Sequence, residues 1–298
     1  MKMSLVIIGL AALGLLIALW MVSDSRLIGK LESGKRPEGA REKLKEMVSE
    51  DPDNIAAHGW LLKLAVENEN SDEVDRRLTV LDIKAPNDYF IQSTGCDYLL
   101  DRREYKRAAG LCRRALKNSP EEDLVDNRNK YASALMKVDR YETALSVLKE
   151  AQQEAPNNIN VLNNLGYCYM GLKDYDAAEE VLQKAISLDP DFMQARLNLA
   201  RCYYEADQWE KSVEELEKVV YMDPDNGIAH MNLAIIYKLF LLENEQASIH
   251  SRRAIELGYA EKLADHMGMA IKEYKKKYPV PGEGLPPPPE KLRRPDLP

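Results

Sequence analysis

The sequence has few of the residues on which most enzyme chemistry depends. Its 298 residues include only four histidines and four cysteines. The histidines do not follow metal-ligand spacing, and no two cysteines form a CxxC pair. Glycine-rich phosphate loops, the HExxH zinc motif and the GxSxG nucleophile motif are also missing. These absences exclude the common nucleotide-binding, metalloprotease and hydrolase classes, and they predict a protein that is not an enzyme and needs no cofactor or metal.

Phenylalanine and tryptophan are also scarce, and acidic residues outnumber basic ones. The chain has three phenylalanines and three tryptophans but fifteen tyrosines, and its net charge is −8. Nucleic-acid binding requires a basic face that neutralises phosphates, so nucleic acid is not expected as a partner. With few β-branched runs, the composition favours helices over sheet.

The cysteines occupy positions 96, 112, 168 and 202. Buried free cysteine behaves as a small apolar side chain, and we expect this role for all four. A bridge between Cys96 and Cys112 is the alternative, which their spacing does not indicate.

The N-terminus carries the only long apolar run. Residues 3–23, MSLVIIGLAALGLLIALWMVS, contain no charge. A helix of that length spans about 30 Å, the thickness of a bilayer core, so residues 1–24 are predicted to be a retained transmembrane anchor. The alternative is a cleaved signal peptide that ends near Ser23 or Ser25. Basic residues cluster after the run and favour a cytoplasmic location for the rest of the chain, whereas Lys2 is compatible with export.

Beyond a predicted juxtamembrane linker at 25–37, proline recurs with a regular period. From Pro52 the prolines fall at 86, 120, 156, 190 and 224, which gives spacings of 34, 34, 36, 34 and 34. Such a period predicts a stack of supersecondary units. Between two prolines the apolar residues recur at offsets of three and four, as in two successive helices. The clearest unit shows this with Leu162, Leu165, Gly166 and Tyr169, followed by Tyr175, Ala178, Leu182 and Ala185.

This pattern resembles the tetratricopeptide repeat (TPR) family. The resemblance covers six units, near 55–88, 89–124, 125–158, 159–192, 193–226 and 227–260, the last with one extra residue in its turn. A helix at 38–50 looks like half a unit, and 261–277 looks like a capping helix, which a solenoid needs at its open end. The family implies an all-α, right-handed solenoid over 38–277, in which the first helix of each unit lines a concave groove.

The last segment, 278–298, carries eight of the fifteen prolines. Its composition predicts an extended, disordered tail, with a ligand for a proline-recognition domain as the alternative.

Asparagine repeats at one phase of three successive units, at Asn164, Asn198 and Asn232. In the family this position faces the groove, where an amide can both donate to and accept from the backbone of an extended peptide. Alternatively, these amides bond to neighbouring helices and stabilise the stack. The remaining residues predicted to line the groove are Lys130, Asn163, Tyr167, Gln194, Arg201, Met231 and Ile235. We expect this groove to change from polar and basic to apolar towards its C-terminal end.

The sequence therefore predicts a membrane-anchored scaffold that binds a peptide or partner protein in its groove. The expected setting is the assembly or regulation of an envelope complex at a bacterial inner membrane. The alternative is a structural array of repeats that self-associates at the membrane.

Overall fold

The computed structural model describes residues 26–277, with the side chains of 273–275 and 277 left out. Within this range the chain is all-α, as predicted, and contains no strand. The helices are α1 (26–32), α2 (Ala40–Glu50), α3 (Ile55–Glu67), α4 (Ser71–Lys84), α5 (Tyr89–Asp101), α6 (Tyr105–Lys117), α7 (Leu124–Met136), α8 (Tyr141–Glu154), α9 (Ile159–Gly171), α10 (Tyr175–Leu188), α11 (Met193–Glu205), α12 (Trp209–Met222), α13 (Gly227–Ile236), α14 (Asn244–Glu256) and α15 (Ala260–Lys277). Each predicted unit contains one pair of these helices, and we call the N-terminal member of a pair its first helix.

The proline turns start most of the first helices with a side-chain cap. An Asn or Asp directly precedes five of the six first helices, and Phe192 takes this place before α11. Asn54 accepts a hydrogen bond from Ala57 N at 3.0 Å, and Asn226 accepts one from Ala229 N at 3.0 Å. Because the first backbone N–H groups of a helix have no partner within it, such a cap fixes where the helix begins. The proline meanwhile prevents the preceding helix from continuing.

The turn inside each helix pair carries a residue in the left-handed backbone conformation. These residues recur with the repeat and are Glu69, Arg103, Asp139, Lys173, Asp207 and Leu242. The residue that follows usually donates its N–H to a carbonyl five positions earlier, as Gln208 N does to Tyr203 O at 2.8 Å. This is the Schellman arrangement, which satisfies the last carbonyls of a helix. Each repeat therefore has two positions at which a helix ends, the left-handed turn after the first helix and the proline turn after the second.

Two local insertions explain why the period varies. A 3₁₀ turn at Glu121–Asp123 follows Pro120, in the interval that is two residues longer than the others. A π-helical turn at Tyr237–Leu241 extends α13, and there Glu243 N donates to Tyr237 O, six residues back. Each insertion lies at the end of a helix, so the same positions of the repeat remain buried in the helices on either side.

The described chain consists of two compact units, divided between Val138 and Asp139. We call them the N-terminal unit and the C-terminal unit; the division falls inside the predicted repeat 125–158. In the N-terminal unit, α1 lies within the predicted juxtamembrane linker. Its Leu31 is buried in one cluster with Leu44, Met47 and Leu61 from α2 and α3.

Cys96 and Cys112 form a disulfide between α5 and α6 in the N-terminal unit. The expectation of a free buried pair was wrong because these helices bring the two Cα atoms to 5.0 Å, within the range that a disulfide requires. The other two cysteines, Cys168 and Cys202, are free and buried as predicted. Burial raises the pKa of Cys168 to about 11 and that of Cys202 to about 12, so both remain thiols at neutral pH.

The C-terminal unit depends on close packing of small residues and on aromatic contacts. A Cβ added to Gly166 on α9 would overlap with Leu182 on α10, so these helices approach as closely as glycine allows. Further along, the rings of Trp209 and Phe240 stack with centroids 4.0 Å apart, and Tyr204 meets both edge-on. The cluster joins α11 and α12 to the π-helical turn.

The predicted membrane anchor at 1–24 and the proline-rich tail at 278–298 lie outside the described residues. Among the helices of residues 26–277, none combines the length and the apolar character needed to cross a bilayer.

Candidate functional site

A cavity of about 540 Å³ lies within the C-terminal unit. Its walls come from the first helices α11 and α13, from α12 and from α15. Of the ten predicted groove residues, it brings together Gln194, Asn198, Arg201, Met231, Asn232 and Ile235. A volume of this size falls within the range of ligand pockets in proteins. This cavity is the candidate functional site.

The floor of the cavity is apolar and its mouth is accessible. Leu216 and Ile236 are each 1% exposed and form part of the floor. Ile228 and Met269 also line the cavity, but they are 44% and 53% exposed. A segment that binds there would therefore bury apolar side chains that already face solvent, which favours association.

The repeated asparagines do not play equal roles. Asn198 Nδ2 donates to Asn163 Oδ1 at 2.7 Å, and both side chains are 8% exposed. This buried bond links α11 to α9, as the structural alternative for the asparagines requires. Asn232, one repeat further on, is only partly buried and faces the cavity. Asn164, one repeat earlier, is partly buried on α9 and does not line the cavity.

Arg201 connects the cavity to the preceding first helix. Its guanidinium lies 5.5 Å from the centroid of the Tyr167 ring, and its Nε donates to Glu205 Oε1 at 2.7 Å. Because Glu205 neutralises its charge, this wall of the cavity offers no isolated positive charge for a carboxylate ligand.

Lys130, the remaining predicted residue, belongs to the N-terminal unit. Its Nζ lies 2.9 Å from both Asp97 and Asp126. Burial would lower the pKa of Lys130, but the hydrogen bonds to these two carboxylates outweigh it, and the pKa is raised. Lys130 is therefore a cation that is paired with two carboxylates, Asp97 on α5 and Asp126 on its own helix α7.

Sequence reasoning missed the residues that α15 contributes. His266, Met269 and Ala270 all line the cavity, and His266 Nδ1 lies 2.7 Å from Lys262 O in the same helix. The signal was present, because residues 266, 269 and 270 follow helical offsets of three and four along one face. The sequence pattern predicts only a capping role for that face.

A second group of titratable side chains lies elsewhere in the C-terminal unit. Nδ1 of His230 is 2.9 Å from Nδ1 of His250, and Nε2 of His230 is 3.0 Å from Pro224 O. Burial lowers the pKa of His250, and a charge on His230 would lower it further. Two histidines are too few for a protein metal site, and no group of three or more His, Cys, Asp or Glu side chains suited to a metal occurs in residues 26–277.

Comparison with known proteins gives a consistent picture. A family model described as tetratricopeptide repeat matches residues 135–186 and 171–236. No match was found among curated protein sequences.

Two solved structures resemble the fold. YrrB, described as a TPR protein with an unusual peptide-binding site, matches with a TM-score of 0.51 and 20% identity, over 63% of this chain and 96% of YrrB. A chain of the APC/C hetero-tetramer Cut9–Hcn1 matches with a TM-score of 0.58 and 14% identity, over 78% of this chain and 46% of its own length. At these identities the likeness concerns the fold alone. Residues 135–236 therefore match the tetratricopeptide repeat family, and the two solved structures share the fold.

Proposed function

We propose that this protein is a membrane-anchored scaffold that binds a segment of another protein in the groove of its first helices. The observation that carries the proposal is the cavity in the C-terminal unit, which combines an apolar floor with the amide side chains of Gln194 and Asn232 at its edge. Its form suits binding more than catalysis, because catalysis needs convergent groups with tuned pKa values in a closed pocket. In a right-handed TPR solenoid such a cavity belongs to the concave face. YrrB is described as having a peptide-binding site, which agrees with this proposal.

The partner segment is extended and carries at least one apolar side chain. Gln194 and Asn232 can each donate to a backbone carbonyl and accept from a backbone N–H. An apolar side chain would enter the floor next to Leu216 and Ile236. Asn198 helps to shape the site through its bond to Asn163, and we assign it no direct role in binding.

Exposed isoleucines of the C-terminal unit provide a matched test. Ile228 lines the cavity and is 44% exposed, whereas Ile249 on α14 is 51% exposed and does not line it. Full-length protein with Ile228→Glu should lose its partner in affinity purification from detergent-solubilised membranes, and Ile249→Glu should retain it. Equal recovery of the partner with both variants would contradict binding in this cavity.

The anchor and its orientation are the second part of the proposal. We place residues 1–24 in a bacterial inner membrane and the repeats on its outer, oxidising side. The support is the Cys96–Cys112 disulfide, because disulfides form and persist in oxidising compartments and are rare in the cytosol. This reverses the orientation that the flanking basic residues favour.

Two measurements test this part. Mass spectrometry of the protein from washed membranes should find an intact N-terminus, whereas a chain that begins near Asp24 or Arg26 would contradict a retained anchor. Alkylation of whole-cell protein under denaturing conditions should modify Cys168 and Cys202 but leave Cys96 and Cys112 unmodified until a reductant is added. Modification of all four cysteines without reductant would show that the disulfide is absent, and it would favour a cytoplasmic location of the repeats.

The self-associating array remains the alternative. It predicts that purified full-length protein in detergent grows in mass with concentration, and that Ile228→Glu abolishes this growth. A mass independent of concentration would exclude the array.

A further inference from the structure

The proline-rich tail at 278–298 begins next to the cavity in the chain. The last described helix, α15, contributes His266, Met269 and Ala270 to the cavity wall and ends at Lys277. Lys277 follows Met269 by eight residues, which correspond to about 12 Å along a helix. An extended chain at about 3.1 Å per residue covers this distance in roughly four residues.

The order of residues in the tail allows it to turn back. The sequence from 278 reads YPVPGEGLPPPPEKLRRPDLP. Gly282 and Gly284 come five and seven residues after α15, and glycine accepts the backbone angles of a reversal without a steric penalty. Eight residues, 278–285, lead from the end of α15 to Leu285, and at about 3.1 Å each they span up to about 25 Å, more than the roughly 12 Å back to Met269. The five residues Leu285–Pro289 therefore form an apolar stretch within reach of the cavity.

This stretch also has the chemistry that the cavity accepts. Proline lacks an N–H, so a run of prolines offers its carbonyls as acceptors and leaves no backbone donor to bury unpaired. Gln194 and Asn232 carry side-chain N–H groups at the cavity. A proline run is already restricted in conformation, so it loses little entropy when it binds. Leu285 supplies the apolar side chain that the floor of Leu216 and Ile236 can bury.

We propose that residues 285–289 occupy this cavity within the same chain, with Leu285 on the apolar floor. The tail then competes with the partner for the site, and the partner gains access by displacing it. The inference rests on the proposed function, because both place an extended segment in the same cavity.

Site-specific photo-crosslinking in the full-length chain tests this proposal. A benzophenone amino acid replaces Ile228 or Met269 at the cavity, with controls at Ile249 and Ile255, which are equally exposed and lie outside it. After irradiation of the purified protein, digestion and mass spectrometry should find crosslinks from 228 and 269 to the peptide that contains Leu285. Their yield should be at least tenfold higher than from 249 and 255. An equal yield from all four positions would overturn the proposal.

A second variant and an isotope mixture complete the test. Leu285→Asp lies outside the repeats, so it should leave the helical content unchanged while it lowers the crosslink yield by about tenfold. In an equimolar mixture of ¹⁴N and ¹⁵N protein, crosslinks should join peptides of the same isotope. Mixed-isotope crosslinks would place the tail in a second copy and overturn same-chain occupancy.

The outcomes for the tail and for the partner can be separated. Partner recovery from membranes should rise with Leu285→Asp, because its competitor is weakened. If the tail does not crosslink but the wild-type protein recovers its partner in an Ile228-dependent way, only the tail inference fails. If the tail crosslinks but no Ile228-dependent partner is recovered with either tail sequence, the proposed function fails.

Discussion

The two compact units use different chemistry at the same position of the repeat. In the N-terminal unit, Cys96 on a first helix is bonded to Cys112 on the second helix, sixteen residues later. In the C-terminal unit, Gly166 and Leu182 have the same separation and meet between α9 and α10. One pair holds the helices by a covalent bond, and the other by contact that only glycine permits. The repeat therefore fixes the distance between its helices but leaves open how they are held.

Contacts between successive repeats differ in the same way. The N-terminal unit has ion pairs that join positions about one repeat apart, including Arg36–Glu67, Arg41–Glu73, Lys84–Asp53 and Lys130–Asp97. The C-terminal unit also has such ion pairs, Lys211–Glu179 and Arg253–Asp225, but adds the buried amide pair Asn163–Asn198 and the aromatic cluster around Trp209. Charged contacts of this kind respond to pH, whereas the buried amides and rings do not. We therefore expect the stability of the N-terminal unit, which lacks the buried amide pair and the Trp209 cluster, to depend more strongly on pH, and hydrogen exchange resolved by peptide can follow each unit separately.

Loss of the disulfide should have the largest effect. Cys96→Ser with Cys112→Ser should lower the free energy of unfolding of the N-terminal unit by about 3 kcal/mol, the value for a loop of this length. Exchange protection should fall in α5 and α6 and remain unchanged in α9 and α10. Cys96→Gly with Cys112→Leu copies the C-terminal arrangement and should recover part of the loss. If the two double variants are equally unstable, the two positions are not equivalent.

Loss of the buried amide pair should come next. Asn198→Ala leaves the amide of Asn163 buried without its donor, which should cost about 2 kcal/mol in the C-terminal unit. Asn160→Ala, at an exposed position on α9, is the matched control and should cost less than about 0.5 kcal/mol. Chemical denaturation of full-length protein in detergent measures both. Equal costs would mean that the Asn163–Asn198 bond contributes nothing.

A smaller and pH-dependent effect is expected at Glu73. Burial would raise the pKa of Glu73, but the hydrogen bonds from Arg77 and Arg41 outweigh it, so the pKa is lowered in the folded state. The resulting stability is present above the unfolded glutamate value of about 4.3 and is lost as the pH falls through the lower folded value. Glu73→Gln should lower the free energy of unfolding of the N-terminal unit by about 1 kcal/mol at pH 7, and it should have no effect at a pH below the folded pKa of Glu73.

The exposed Glu46, paired with Lys43, is the control for Glu73. Glu46→Gln should change stability by less than about 0.5 kcal/mol at any pH. Denaturation midpoints between pH 3 and pH 7 check both variants. A cost for Glu73→Gln that does not depend on pH would contradict the assignment.

The smallest effect should be the same in both units. Arg103 and Lys173 occupy equivalent turns with φ values of 61° and 63°. Glycine relieves the steric cost of this conformation but loses more backbone entropy on folding, so Arg103→Gly and Lys173→Gly should each stabilise by about 0.5 kcal/mol. A clear difference between the two variants would show that the turns are not equivalent in energy.

Much of the fold could be predicted from the sequence because the repeat is encoded locally. Proline and capping residues such as Asn54 mark where helices begin and end, and the apolar offsets mark which face is buried. The left-handed residues were not predicted, since glycine, the usual signal for that conformation, is absent from these six turns. The two insertions were visible as irregular spacings, but their 3₁₀ and π conformations were not.

The candidate site was predicted less completely. Counting along the repeat identified six residues that line the cavity, because the groove phase follows the same period as the core. It also treated Asn164, Asn198 and Asn232 as equivalent. The position of a residue in the repeat defines only which face of its helix it occupies. Its hydrogen-bond partner is set by the neighbouring helix, and for Asn198 that partner is Asn163 on α9.

The sequence by itself determined the class of fold, the helix pairs and the face of each helix that is buried, because all three depend on residues a few positions apart. Only the tertiary structure decided that Cys96 and Cys112 form a bond, that Asn198 is paired with Asn163 while Asn232 faces a cavity, and that α15 forms part of that cavity's wall. These features depend on distances between side chains that lie on different helices. Such distances follow from how whole helix faces pack together, and no single stretch of sequence records them.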